Sequence, residues 1–216
     1  MKIVSVILAR GGSKGIPNKN IIDLNGKPLI SYTIEASQKS NVNSTWVSTD
    51  CPKIKTISEK LNANVIDRPK EISGDLSKSE EALLHFAKKI DFDILVFIQP
   101  TSPLLKSEDI NKGIQTLTED KNCNSVFSVY KQHWLPRWSL NLRPLDWDTN
   151  NRPMRQEAND EYVENGAFYI TRKNNLLASK LRYSGLKKVV VMPYFCLLYT
   201  SPSPRDVEES RMPSSA

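Results

Sequence analysis

Histidine and cysteine are scarce in this 216-residue chain, with two of the first and three of the second. Cys51, Cys123 and Cys196 are odd in number, far apart and without a CxxC pair or histidine companions. That spacing argues against both a disulfide frame and a zinc site and leaves free thiols. No apolar stretch approaches the roughly 18 to 20 consecutive residues of a membrane span, and the run that follows Met1 is too short for a secretory signal. No membrane partner and a cytoplasmic address are therefore expected. The net charge of +6 is not gathered into any long basic run. Scattered in this way it suits solubility and a small anionic substrate, not nucleic acid. Two common phosphate motifs are missing as well, because there is neither a GxxxxGK[ST] P-loop nor a GxGxxG dinucleotide turn.

What is present begins at the N-terminus. The apolar run Ile3 to Ala9 empties into RGGSKGIPNKN, Arg10 to Asn20. A strand that ends in a glycine-rich, cationic loop is suited to phosphate. Gly11, Gly12 and Gly15 are expected to take positive φ and let backbone N–H groups converge on anionic oxygens, while Arg10, Lys14 and Lys19 supply charge. The alternative is a flexible basic turn with no ligand.

With 39% hydrophobic residues the chain can build one substantial core. Short strands are expected at Ile3–Ala9, Thr45–Ser48, Asn64–Ile66, Ile94–Gln99, Ser125–Tyr130, Ala167–Thr171 and Lys188–Met192. Helical spacing lies between them: Leu29 to Ser37 after Pro28, Ile54 to Leu61, Ala82 to Ile90, and Ile110 to Leu117 after a Ser107 cap. This alternation predicts an α/β fold with a mostly parallel sheet flanked by helices and ligands at the carboxyl ends of the strands. It weakens from 131 to 165, where Trp134, Trp138 and Trp147 mix with prolines; this stretch reads as a dimerisation arm, with a monomeric lid or an internal core patch as the alternatives. The domain is expected to end near 195. The last 21 residues, with five serines and three prolines and no period, read as a disordered, non-native tail over 196–216.

Four further features accompany strand ends. Asp50 closes WVSTD, where a carboxylate holds a cation, bonds a ribose or caps the next helix. Arg68 follows the strand NVI, and Ser77 and Ser79 precede a helix; a surface arginine and ordinary caps are the simpler alternative. ILVFIQPTSPL presents Gln99 and then Thr101 and Ser102 on a proline-stiffened turn, suited to substrate recognition. Arg155 and Gln156 are followed by Asn165 and Gly166 at the head of AFYI, and Arg155 could fork onto a carboxylate or phosphate.

In this order, LARGGSKGIPNKN, VSTD, RP with a serine-rich helix start, QPTSPL, RQ and ENGAFYI resemble the acylneuraminate cytidylyltransferase family, the CMP-sialic acid synthetases and their pseudaminate and legionaminate relatives. The resemblance runs from Lys2 to about Met192. It implies a Rossmann-like nucleotidyltransferase fold, a homodimer, CTP, Mg²⁺ and a nine-carbon α-keto acid sugar. It further implies that Arg10, Gly11, Gly12, Ser13 and Lys14 cradle the triphosphate, with Arg10 and Lys14 catalytic by neutralising it. Asn20, Arg68 and Ser79 would read the cytosine. Gln99, Thr101, Ser102, Asn165 and Gly166 would face the sugar, with Arg155 contributing from the arm. Charge on the departing pyrophosphate calls for cations and a metal, not a covalent nucleophile, so Cys51, Cys123, His85 and His133 need no special role. One departure stands out: the family's metal-binding Asp-Ile-Asp word after the strand equivalent to VVVMP is absent here, and Asp206 does not replace it. Expected rivals are a pyrophosphorylase for another nucleotide and an impaired CTP-binding remnant.

Overall fold

β-branched and aromatic residues dominate the short apolar runs, and such runs pack best as strands covered on both faces. The computed structural model, which describes residues 1–13, 16–154, 156–157 and 159–194, places them in one sheet. In chain order the elements are β1 (Ile3–Leu8), β2 (Asp23–Leu24), β3 (Lys27–Pro28), α1 (Leu29–Gln38), β4 (Ser44–Thr49), α2 (Pro52–Lys60) and β5 (Asn64–Asp67). There follow α3 (Ser79–Lys89), β6 (Ile94–Ile98), α4 (Ser107–Glu119), β7 (Ser125–Gln132), β8 (Arg137–Trp138), β9 (Pro144–Leu145), β10 (Glu161–Arg172), α5 (Lys173–Ser179) and β11 (Lys187–Val191). The seven-stranded sheet has the order β11-β7-β10-β6-β1-β4-β5. All neighbours pair in parallel except β10, which runs antiparallel to both β6 and β7.

The helices divide between the two faces. Ile30 and Ile34 of α1, Ile54 of α2 and Ile110, Ile114 and Leu117 of α4 share one core. Leu83, Phe86 and Ala87 of α3 pack with Leu176 of α5 in the other. The chain leaves β1 for β4 and β5 on one side, then crosses to β6 on the other. This reversal opens a crevice beyond the carboxyl ends of β1 and β6, the usual ligand position in open α/β sheets.

Several local expectations are revised. Ser107 is the first residue of α4 and not its cap; the cap position is Lys106, whose N–H donates to the Asp109 carboxylate at 3.2 Å. Asp50 does not cap α2, which has Cys51 at its cap position. The arm is shorter than the span 131–165, because β7 continues to Gln132 and β10 begins at Glu161, paired across the arm's base. Between them β8 and β9 form a small hairpin. Trp147 meets Trp138 at 4.9 Å and Trp134 at 6.2 Å, both nearly perpendicular, so the tryptophans cover one another. Leu135, Trp138, Leu140, Leu142 and Met154 remain exposed around them. The expected tail lies outside the described residues. Among these residues no helix is long and apolar enough to cross a membrane.

Two packing features are demanding. α4 lies directly on β10 at Gly113, where an added Cβ would stand 2.7 Å from Ile170 Cδ1 and 2.9 Å from Phe168 Cε2. The α5–β11 connection is tied to the first turn of α3 by Arg182, whose Nε and Nη2 donate to the two Glu80 carboxylate oxygens at 2.7 and 3.1 Å. Burial pushes the Glu80 carboxyl up, but its hydrogen bonds and the Arg182 charge prevail and hold it below its ordinary value.

Two outcomes are expected from these features. Gly113→Val should overpack the α4–β10 contact and lower stability by about 1–3 kcal/mol, read as a reduced urea midpoint with an unchanged slope. Glu80→Gln should cost about 1–2 kcal/mol at neutral pH, between the values for exposed and buried pairs. A depressed carboxyl stabilises above its unfolded value and loses that contribution as pH falls through the folded one. The stability gap between wild type and Glu80→Gln should therefore be complete above pH 4.5, the ordinary glutamate value, and close below it in pH-dependent melts.

Candidate active site

The crevice at the β1–β6 switch is a cleft of about 450 Å³. Its lining includes Leu8, Arg10, Ser13, Lys19 and Asn20 from the first strand and loop, and Arg68 after β5. Ser77, Lys78 and Ser79 form a wall at the start of α3, facing Phe97, Gln99, Pro100 and Thr101 at the end of β6. Residues far apart in the chain converge here because parallel strands deliver their carboxyl ends to the same edge.

The loop is held down at each step. The Ala9 N–H donates to the Ser48 carbonyl at 3.0 Å, extending the β1–β4 pairing past the end of β1. The Gly11 N–H donates to Asp50 Oδ1 at 2.9 Å. Asn20, itself buried, returns to the strand end by donating Nδ2 to the Arg10 carbonyl at 2.9 Å. Neither Gly11 nor Gly12 has the expected positive φ, which among the described residues of this segment belongs to Asn18 at 53°; Gly15 lies outside them. Gly11 is needed for close approach instead: a Cβ there would lie 2.9 Å from Cys51 Cβ. At Gly12 a Cβ would meet nothing within 4 Å.

Cations dominate the cleft. Arg10 Nη1 donates to the Gly74 carbonyl at 2.8 Å and forms an ion pair with Asp75 at 3.0 Å. Burial and the adjacent Arg10 charge push the Lys19 ammonium down. Arg68 is 9% exposed. Its Nε and Nη2 donate to Ser48 Oγ and the Ser48 carbonyl at 3.1 and 2.6 Å. Burial pushes its guanidinium down to about 10, with Asp50 opposing and Arg10 reinforcing the shift. Arg68 therefore stays cationic at neutral pH.

Of the residues expected at a site, Arg10, Ser13, Asn20, Arg68, Ser79, Gln99 and Thr101 line the cleft together. Gly12 borders a shallower recess with Arg10, Ser13 and Asp75. Gly11, Ser102, Asn165 and Gly166 are not among the lining residues. Ser102 is buried, and its carbonyl accepts the Leu105 N–H. Asn165 is buried with its Oδ1 accepting the Ala167 N–H and its Nδ2 directed to Met192 Sδ. Gly166, at φ 70°, would bring a Cβ to 3.2 Å of Gln99 Oε1, so this turn backs the Gln99 side chain. Lys14 and Arg155 lie outside the described residues. Sequence reading missed Phe97 and Asp75; the latter sits in the SGDLS turn, whose small polar residues give no local sign of a long-range ion pair.

Among the described residues no three His, Cys, Asp or Glu side chains gather to hold a metal. Asp75 is paired with Arg10, and Asp50 is engaged by the Gly11 N–H. The described residues thus form no all-protein cage of oxygens, which Mg²⁺ does not need where one or two carboxylates and a ligand's phosphates hold it.

The close approach at Gly11 can be tested with tripolyphosphate as a simple anion. Gly11→Ala should weaken its binding about tenfold, since overpacking costs roughly 1–3 kcal/mol and 1.4 kcal/mol is tenfold. Adding Cys51→Gly should recover most of the loss in calorimetric titration.

Comparison with known proteins follows the same outline. The family model described as cytidylyltransferase matches residues 4–202. The N-acylneuraminate cytidylyltransferase of Oncorhynchus mykiss is 40% identical over 177 residues, which are 78% of this chain and 40% of that protein. The protein of that name from Escherichia coli O18:K1:H7 is 32% identical over 188 residues, 83% of this chain and 44% of its own. The chain thus spans less than half the length of the curated relatives it matches. Among solved structures, CMP:2-keto-3-deoxy-manno-octonic acid synthetase complexed with CTP superposes with a TM-score of 0.65 at 21% identity, covering 85% of this chain and 80% of that one. The 4-diphosphocytidyl-2C-methyl-D-erythritol synthase of Anaerococcus prevotii superposes with a TM-score of 0.64 at 15% identity, covering 96% and 95%. At these identities the two structures speak for the fold alone. The match across nearly all of the described residues, carried on the fold and cleft above, makes this chain a member of the cytidylyltransferase family.

Proposed function

We propose that the chain is the nucleotidyltransferase part of an acylneuraminate cytidylyltransferase, moving CMP from CTP onto a nine-carbon acidic sugar and releasing pyrophosphate. The supporting observation is the assembly, in one cleft, of a cationic loop, a hydroxyl-rich wall and a polar strand end. Arg10 and Ser13, with Lys14 by its place in the motif, take the triphosphate. Arg10 exchanges the Asp75 carboxylate for phosphate oxygens, which present comparable geometry to a guanidinium. Cytosine offers an amine donor and ring acceptors, and Asn20, Arg68 and Ser79 meet it. Gln99 and Thr101 face the sugar, with Ser102, Asn165 and Gly166 shaping that end from behind and Arg155 reaching in from the arm.

The anomeric hydroxyl attacks the α-phosphorus, forming the new oxygen–phosphorus bond as the bond to pyrophosphate breaks. Negative charge grows on the leaving group, so the protein's task is positioning and neutralisation. Members of this family generally use a divalent metal. Mg²⁺ is our choice for this chain; when bound it would neutralise phosphate charge, while the described residues contribute the cations. The exposed leucines and Trp138 of the arm support a homodimer, since an apolar surface of this kind is stable when covered. We place the enzyme in the cytoplasm, where CTP is made.

Calorimetric titration with CTP, UTP and GTP in Mg²⁺ tests the reading. CTP should bind at least about tenfold more tightly than the others, a difference of about 1.4 kcal/mol. Preference for UTP or GTP would assign the cleft to a different sugar-nucleotide pyrophosphorylase.

A further inference from the structure

The wall that begins α3 is tethered from the far side of the fold. Ser77, Lys78 and Ser79 line the cleft, and Glu80 is the next residue. The segment leading into this wall contributes only a short 3-10 turn, Lys70–Ile72, and its Leu76 is 98% exposed. Within the helix start, the Lys78 N–H donates to Glu81 at 2.9 Å, which orders the turn but does not attach it to the sheet.

At the helix start attachment comes through Arg182, beside the Arg10 bonds to Gly74 and Asp75 just before the wall and the apolar packing of Leu83 and Phe86 further along α3. The Arg182 fork closes on both Glu80 oxygens across 102 residues of chain. The pair is sheltered, with side-chain exposures of 23% and 18%. The guanidinium also lies over two ring faces, 5.6 Å from the Phe97 centroid and 5.2 Å from that of Tyr169. Tyr169 is steadied in turn by its hydroxyl, which donates to Glu164 at 2.9 Å. Phe97 is itself a cleft residue. Arg182 therefore touches one wall of the cleft and holds the other through Glu80.

We propose that Glu80 and Arg182 are positioning residues for nucleotide binding, locking the Ser77–Ser79 wall at a fixed distance from the end of β6. This rests on the reading of the cleft as a CTP site. The fork and the two ring faces require a planar guanidinium, so lysine cannot reproduce the arrangement. Neither residue contacts the reacting atoms. Loosening the wall should weaken CTP binding and leave the chemical step, once CTP is bound, nearly unchanged.

The test uses the full chain carrying Arg182→Lys or Glu80→Gln. In ligand-free hydrogen exchange, amides over 78–82 should accelerate more than those of β1 and β6, which speed up only as far as the lower global stability requires. CTP dissociation constants should rise roughly fivefold to tenfold in either variant, the range of a lost local coupling. KM for CTP should rise with kcat held. The double variant should be little worse than either single one. Equal acceleration at 78–82 and throughout the sheet, or CTP affinity equal to wild type, would overturn the positioning role. A wild-type chain that binds no CTP would instead overturn the assignment of the cleft to that nucleotide.

Discussion

The Gly11 N–H donates to Asp50, and almost everything at the cleft depends on what that bond joins. It ties the loop after β1 to the end of β4 at the point where Gly11 and Cys51 pack too closely for any side chain at position 11. The neighbouring strand is tied to β4 as well, because the Arg68 N–H donates to the Thr49 carbonyl and its guanidinium to Ser48. Three parallel strands thus end in register, and Arg10, Asp50 and Arg68 are held near one another. Asp50 serves both sides. It accepts from the loop and offsets part of the burden of keeping the Arg68 cation out of water.

This concentration of positive charge has a consequence for the cleft. Burial lowers the Lys19 and Arg68 values first, and the Arg10 charge pushes both further down. Asp75 relieves some of that repulsion by pairing with Arg10. On the proposed reading an incoming triphosphate would take over the same role with more charge. On that reading the carboxylate would compete with the triphosphate, and the pair is exposed enough to exchange, at 31% and 38% for the two side chains. Burial of the Arg68 side chain serves the opposite end, since a guanidinium already bonded to Ser48 loses little freedom when a base docks against it.

Much of the fold was legible because its strands are apolar on both faces and its helices repeat their apolar positions every three to four residues. β1, β4, β5 and β6 lie where that contrast puts them, each with one or both ends shifted by one residue. The direction of β10 did not, since strand polarity is set by where the arm returns the chain and not by any residue within AFYI. α5 escaped notice because seven residues carry too little periodicity to distinguish a helix. At the site, residue types announced the loop and the QPTSP turn. Their orientation was less accessible. Asn165 looks like a ligand-facing amide from its position, yet its side chain bonds its own turn. Gly11 advertised freedom of φ, whereas packing against Cys51 is its reason. The Glu80–Arg182 fork left no local trace at all, being created only when the sheet brings distant segments together.

The most direct test of the cleft as a CTP site is a crystal structure of the chain with CTP bound. The expected result is triphosphate on Arg10 and Ser13 with Asp75 displaced, and cytosine between Arg68 and the Ser79 end of α3. Nucleotide lodged elsewhere, or phosphates seated with the Arg10–Asp75 pair intact, would contradict it.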